Sequence, residues 1–424
     1  MSNSDLQSKR LLILGGAAQC KKAVEAAREL GLYVIVADRA PNKETGALAD
    51  EIVQISLTDY EGLLAWCREN PVDGILNYNV DAAQCTYQRL CEALNKPCFG
   101  NAYQYHYLTD KNAFKQMCAE NGVDTIRNFT EADAENGNVE FPVLIKPAQS
   151  SGSRGSAVCR NQEELLAALK QAREISLDGH AVIEKYMGGY PDFSVEYVIA
   201  DGHPYLIRTI DRYLGKIEDG LNRQCIGAIC PSIYTNLYLE NVNDKVIAML
   251  KKLGIRNGPV FFQGFVDGNT VRFYDPGFRF PGSEYERIFM QATGINIPRP
   301  IVRFAISNEP VSIENITEDS YMLNGKIALQ LFVTSRPGKI AVFSGLDEIR
   351  KNPNVVYFAQ KAFEGSEIPK SGDVKQRIAE IALLVDNDEK VISDTLSYVY
   401  STLKVLDEHG ENMLVSQFEY KSRA

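Results

Sequence analysis

The sequence predicts an α/β protein with α+β parts. A doubly wound domain is expected over residues 1–108, a larger central domain over 109–314, and a small C-terminal α+β domain over 315–424. Three observations carry this. The chain has 424 residues, too many for one ordinary core. Its first hundred residues alternate short apolar runs with helical spacings, which is how a parallel sheet reads. Its middle part instead strings strands together through Gly-rich loops and turns that carry lysines and acids.

Composition narrows the function classes. The chain is 45% hydrophobic and 24% charged, as ordinary globular proteins are. A formal net charge of −10 argues against a general nucleic-acid or acidic-membrane binder, though a local basic pocket can still hold an anion. MSNSDLQSKR at the N-terminus is polar, and no apolar run approaches ~18 residues, so a cytoplasmic protein is expected. The nine cysteines are odd in number and include no CxxC, and the four histidines are far from any cysteine pair, so reduced thiols rather than zinc are expected.

In the first domain, Arg10 to Ala18 (RLLILGGAA) reads as a buried strand ending in Gly-Gly. Cys20 to Leu30 has helical spacing with Gly31 as its cap, and Tyr33 to Ala37 is a second strand ending at Asp38. Gly15-Gly16-Ala17-Ala18-Gln19-Cys20 lacks the later glycines of a dinucleotide fingerprint, which disfavours NAD. Strands at Glu51 to Ile55 and Val72 to Leu76, a helix from Asp59, another from Asp81 and a short closing strand at Lys96 to Gly100 complete the domain.

The next helix opens at Thr109 or Asp110 and carries Lys111 in its first turn. A cation there is electrostatically out of place unless an anion binds nearby; a solvated lysine is the plain alternative. The central stretch is VEFPVLIKPAQSSGSRGSAV, residues 139–158. A strand delivers Lys146, Pro147 stops the pairing, and Ser151-Gly152-Ser153-Arg154-Gly155-Ser156 forms a small-residue loop. Such a loop can lay backbone N–H groups over a polyphosphate, or it is simply a polar hairpin end. Walker A is excluded, because no Gly-Lys-Ser/Thr follows.

Glu184-Lys185-Tyr186-Met187 with Asp192 reads as strand, hinge, strand, where a base can lie against backbone groups, Glu184 can accept from an exocyclic amine and Asp192 can take ribose hydroxyls. A surface hairpin with an acidic rim is the alternative. Phe261 to Ser283 reads as two strands meeting at Asp267-Gly268-Asn269. A three-residue loop there makes Gln263 and Asp275 diagonal neighbours roughly 7–8 Å apart, suited to magnesium, whereas a one-residue slip separates them. Arg279, between aromatics and before Gly282-Ser283, suits a carboxylate or an acyl-phosphate oxyanion, or else buttresses Asp275. Arg212 is open between an anionic substrate and Asp211. Further on, a hairpin is expected from Ala328–Val333 and Gly338–Phe343, and a long helix starting at Ser393 or Asp394.

In order and spacing these stretches resemble the ATP-grasp superfamily over nearly the whole chain. ILGG…AARELG…VIVAD resembles the pre-grasp domain of biotin carboxylase-like and purine-biosynthetic members. GKIAVFSGLDEIRKNPNV resembles the tail of L-amino-acid ligase and carbamoyl-phosphate-synthase-like carboxylate–amine ligases. The resemblance implies an ATP-grasp fold with a flap subdomain at about residues 125–185. It assigns Lys111 and Lys146 to the ATP phosphates and Ser151, Gly152, Ser153, Gly155 and Ser156 to the flap over them. Glu184, Lys185, Tyr186 and Met187 would lie by the adenine, Asp192 on the ribose, Gln263 and Asp275 on Mg2+, and Arg279 with Lys146 at the reacting carboxylate. The family writes Glu-x-Asn-x-Arg where this chain has Asp275-Pro276-Gly277-Phe278-Arg279, so one metal ligand is missing. The implied reaction activates a carboxylate as an acyl phosphate for attack by an amine; its partners are small molecules, with a homodimer left open. Two other readings follow from the same residues: an ATP-binding protein without turnover, and a bicarbonate-activating carboxylase.

Overall fold

The computed structural model describes residues 3–40, 43–147, 157–176, 179–216, 224–372 and 374–420. The N-terminal sheet has four parallel strands in the order Glu51–Val53, Tyr33–Ala37, Arg10–Leu14, Gly74–Leu76. The inner two are apolar on both faces because helices cover both sides. Asp59 caps its helix as expected, accepting from the Gly62 N–H at 2.9 Å. The closing strand at Lys96–Gly100 does not form. Pro97 has no N–H to pair, and Phe99 is taken instead into an aromatic group with Phe278 and Phe304, 6.1 and 5.7 Å away between ring centres.

The central and C-terminal segments share one nine-stranded sheet. Its main path runs Thr270–Gly277, Gly258–Asp267, Asp192–Ala200, His203–Leu214, Cys225–Cys230, Lys326–Ser335, Arg377–Asp386, Val355–Gln360. Pairing along it is antiparallel, and it crosses residue 315 without a break. The hairpin expected after Ala328 is therefore not made. Lys326–Ser335 is buried on both faces, so it takes a central place between Cys225–Cys230 and Arg377–Asp386. Gly338–Lys339 pairs with Glu367–Ile368 instead. The last long helix starts at Glu389 rather than near Ser393, because Asp388 supplies the cap, accepting from the Val391 N–H at 2.9 Å.

A separate four-stranded sheet runs Asn128–Phe129, Ala181–Lys185, Val143–Pro147, Ala157–Cys159. Helix Gln162–Ile175 covers it, and Val143, Ile145, Leu165, Leu169 and Ile183 form its own small core. This unit lies within the segment, about residues 125–185, where a flap subdomain is expected. Helix Lys111–Glu120 reaches both sheets, touching the strand Thr270–Gly277 through Asp275 and the strand Ala181–Lys185 through Glu184.

Candidate active site

Helix Lys111–Glu120 starts at Asp110, whose Oδ1 accepts from the N–H groups of Asn112 and Ala113 at 3.0 and 2.8 Å. Lys111 and Lys115 are one turn apart and share a face. Lys111 Nζ is 3.0 Å from Asp275 Oδ1 on the large sheet. Lys115 Nζ is 2.7 Å from Glu184 Oε1 on the small one. Lys146 reaches the same carboxylate from the neighbouring strand, its Nζ 2.7 Å from Glu184 Oε2. One glutamate is thus clamped between two ammonium groups.

The charges shape one another. Burial alone would raise the Glu184 carboxyl, but Lys115 and Lys146 outweigh it and hold it below the usual carboxylate value. Burial pulls the Lys115 ammonium down, and Glu184 restores only part of that. Burial also works against the Lys111 ammonium, but Asp275 more than offsets it, so its value rises.

Gln263 and Asp275 come together by a route the sequence did not suggest. The turn is a two-residue loop, with Gly268 at φ +64° and Asp267 opposite Thr270. Continued without irregularity, that register would turn Asp275 to the far face from Gln263. A bulge at Tyr274 takes up the extra residue and brings Asp275 directly opposite Gln263. Tyr274 then donates from its hydroxyl to Gln263 Oε1 at 3.1 Å.

Gly277 stands directly across from Phe261. A Cβ at 277 would lie 2.1 Å from the Phe261 ring, so no larger side chain fits while that ring keeps its place. The aromatic ring occupies the space beside the position where an asparagine would stand. Arg279 lies over the other side of this cluster, its guanidinium 4.9 Å from the Phe261 ring centre. It donates to Asp81 Oδ1 at 3.0 and 3.2 Å and to the Phe280 carbonyl at 2.8 Å. The structure therefore ties Arg279 to the N-terminal domain and not to Asp275.

At the hinge, the Lys185 N–H donates to the Arg127 carbonyl and the Tyr186 N–H to the Pro142 carbonyl, both at 2.9 Å. Met187 is buried. Lys185 Nζ is 3.5 Å from Asp267. The Glu184 side chain points to the two lysines, so accepting from an adenine amine would compete with both ion pairs. Asp192 is buried and paired with Arg212 at 3.1 Å. Arg212 thus pairs with Asp192 rather than with its neighbour Asp211, which accepts from the Ser232 hydroxyl and the Ile233 N–H. Ser151, Gly152, Ser153, Gly155 and Ser156 lie outside the described residues.

Sequence reasoning missed Lys115, although its i+4 spacing from Lys111 was a usable signal. It also missed two buried charges further along the sheet, Glu196 and Arg208, which no local pattern marks.

Residues 110–258 match the family model described as "Carbamoyl-phosphate synthase L chain, ATP binding domain". A formate-dependent phosphoribosylglycinamide formyltransferase of Prochlorococcus marinus is 26% identical over 178 residues, 41% of this chain and 45% of that protein. The chain thus matches about half the length of such curated relatives. A phosphoribosylglycinamide synthetase structure from Anaerococcus prevotii superposes with a TM-score of 0.76 at 19% identity, covering 95% of this chain and 100% of that one. An L-amino acid ligase structure from Bacillus licheniformis gives 0.75 at 20% identity, covering 95% and 99%. No helix among the described residues is long and apolar enough to cross a membrane. Residues 110–258 are thus similar to that ATP-binding domain, and the fold as a whole is shared with these solved structures.

Proposed function

We propose that this chain is a cytoplasmic ATP- and magnesium-dependent ligase that activates a small-molecule carboxylate as its acyl phosphate and joins it to an amine. One observation carries the reading: ion pairs through helix Lys111–Glu120 link Asp275, which stands opposite Gln263 on the large sheet, to Glu184 and Lys146 on the small one. Lys111, Lys115 and Lys146 would hold ATP phosphates. Their present partners are carboxylates, so an incoming triphosphate would replace like with like. Asp275 and Gln263 offer oxygen ligands side by side across one sheet, as magnesium requires while drawing its remaining ligands from phosphate and water. Bound there, magnesium would supply charge for the β- and γ-phosphates.

The chain's own contribution is positioning and charge. A substrate carboxylate oxygen attacks the γ-phosphorus and ADP leaves. Lys111 and Lys146 neutralise the charge that builds up on the phosphoryl oxygens. The amine nitrogen then attacks the acyl carbon, phosphate leaves, and the nitrogen gives up a proton. No side chain need act as a nucleophile. Arg279, held by Asp81, closes the cleft toward the N-terminal domain and in this reading meets the acyl phosphate once the substrate arrives.

The test is phosphate release from Mg·ATP against bicarbonate, formate, amino acids and short peptides, repeated with Lys146→Met. Release that needs both an acid and an amine, and is lost in the variant, is the expected result. Wild-type release in Lys146→Met would reject the reading.

A further inference from the structure

The oxygens around Gln263 and Asp275 decide how many metal ions the cleft can take. Magnesium wants a near-octahedral set of oxygen ligands and gives up its waters reluctantly. Two such ions in one site lie roughly 3.5–4 Å apart, where their mutual repulsion is offset only by ligands that bridge them. Gln263 and Asp275 offer little to share. Asp275 is the one carboxylate of the two. Gln263 is neutral, and its Oε1 already accepts from the Tyr274 hydroxyl at 3.1 Å. An amide oxygen has two lone pairs, so one remains for a metal and none for a bridge. The Tyr274 hydroxyl in turn accepts from Arg212 Nη1 at 3.3 Å, which holds the amide from behind. The next residue on the Asp275 face of the strand is Gly277, opposite Phe261, and it brings no oxygen. The Phe261 ring fills that place, and the Arg279 guanidinium lies over the same ring.

The acids on the surrounding elements are committed to cations of their own. Glu184 takes Lys146 and Lys115, and the Lys115 side chain is 12% exposed, so that pair stays when a ligand draws Lys146 away. Asp192 is paired with Arg212 and Asp81 with Arg279, at 3.1 and 3.0 Å. Further in, a cavity of about 180 Å3 runs along the sheet from Gln263 to Glu196 and Ser283, and the Ser283 carbonyl accepts from Lys22. Glu196 lies 3.7 Å from Arg208 with both carboxylate oxygens buried. Among the described residues no group of three or more acids, histidines or cysteines could hold a metal by itself. Asp275 differs from the other acids. Its partner Lys111 is largely exposed and is one of the ammonium groups that the ligase reading gives to ATP. A triphosphate that takes Lys111 frees a single carboxylate, beside a single amide oxygen.

We propose that the cleft takes one divalent ion per nucleotide, on Asp275 and Gln263, and that Lys111 hands Asp275 over to that ion as the triphosphate arrives. This deepens the ligase reading by fixing the metal count, and it rests on that reading for the nucleotide. Without nucleotide, Lys111 stays on Asp275 and competes with the metal. With nucleotide, metal and triphosphate enter together.

Manganese is the probe, because it takes the same oxygen ligands as magnesium and is seen by electron paramagnetic resonance. It is titrated into the full chain saturated with a non-hydrolysable ATP analogue, and bound ions are counted. One equivalent per bound nucleotide is expected, with the spectrum of an isolated ion and any second step at least about a hundredfold weaker. Gln263→Glu adds a carboxylate that can bridge, with almost no change of shape, and should tighten the second step about tenfold or more. Without nucleotide, Lys111→Gln should bind manganese about tenfold more tightly than the wild type, because Asp275 is left uncovered. Two equivalents of similar affinity or a spin-coupled pair of ions in the wild type overturns the single-ion count and leaves the ligase reading standing. So does a second step unmoved in Gln263→Glu. Equal affinity of Lys111→Gln and wild type overturns the hand-over. Nucleotide without bound manganese, or no bound nucleotide, rejects the ligase reading and this proposal with it.

Discussion

The two ends of the cleft hold similar charges in opposite ways. At the outer end the pairs are partly open to water: the Lys111 side chain is 60% exposed and Lys146 34%. At the inner end Lys22, Glu284 and Glu286 are 4% exposed or less. Exposed pairs contribute little to stability and exchange partners cheaply. Buried ones are costly to break and fix geometry. The outer end is thus suited to a ligand that comes and goes with its own charge, and the inner end to holding one geometry.

Both ends depend on a strand irregularity. At the outer end the bulge at Tyr274 puts Asp275 opposite Gln263. At the inner end a shift after Leu206 sets Arg208, and not Ile207, opposite Glu196. Bulges commonly re-aim side chains in this way beside functional sites.

The largest expected effect tests the outer end as chemistry. Lys146→Met should lower kcat about 10²- to 10³-fold in single-turnover phosphate release, with the fold intact by circular dichroism. A smaller loss than that of Lys111→Met would shift the main role to the helix. Gly277→Asn comes next. The clash with the Phe261 ring at 2.1 Å should cost about 3 kcal/mol in urea denaturation, and Phe261→Ala in the same chain should recover part of it. No recovery would mean that the ring is not what excludes the asparagine. Glu184→Gln removes the shared partner of two half-buried ammonium groups. About 2 kcal/mol of stability should go, less than for a fully buried pair because Lys146 reaches solvent.

The smallest effect separates the two ends by pH. Glu184 sits below the usual carboxylate value, so its stabilising contribution is present through the neutral range and is lost only as pH falls through that lowered value. Glu196 is displaced the other way, from 4.5 to about 8. In the ligand-free protein its contribution is full below the ordinary value and fades as pH rises toward 8. Stability of Glu196→Gln, followed by urea denaturation against pH, should lack that fade.

What could be read from the sequence follows from range. Lys146 at a strand end before a small-residue loop, Asp59 as a cap and the paired Gln263 and Asp275 are all set by neighbours a few residues away. The shared face of Gln263 and Asp275 was expected from the wrong turn, because a bulge leaves no mark in residue type. The continuous sheet and the Glu196–Arg208 pair were not legible. Each depends on strands distant in sequence choosing one another, which apolar alternation does not specify. Arg279 stands out in the sequence by its aromatic flanks, but its partner Asp81 lies 198 residues away.

The central claim is that Asp275 and the lysines serve one magnesium–triphosphate complex. Calorimetric titration of ATP with and without magnesium, on the wild type and on Asp275→Asn, tests it most directly. Magnesium should tighten ATP binding to the wild type and lose most of that effect in the variant. An equal magnesium effect in both proteins would contradict the account.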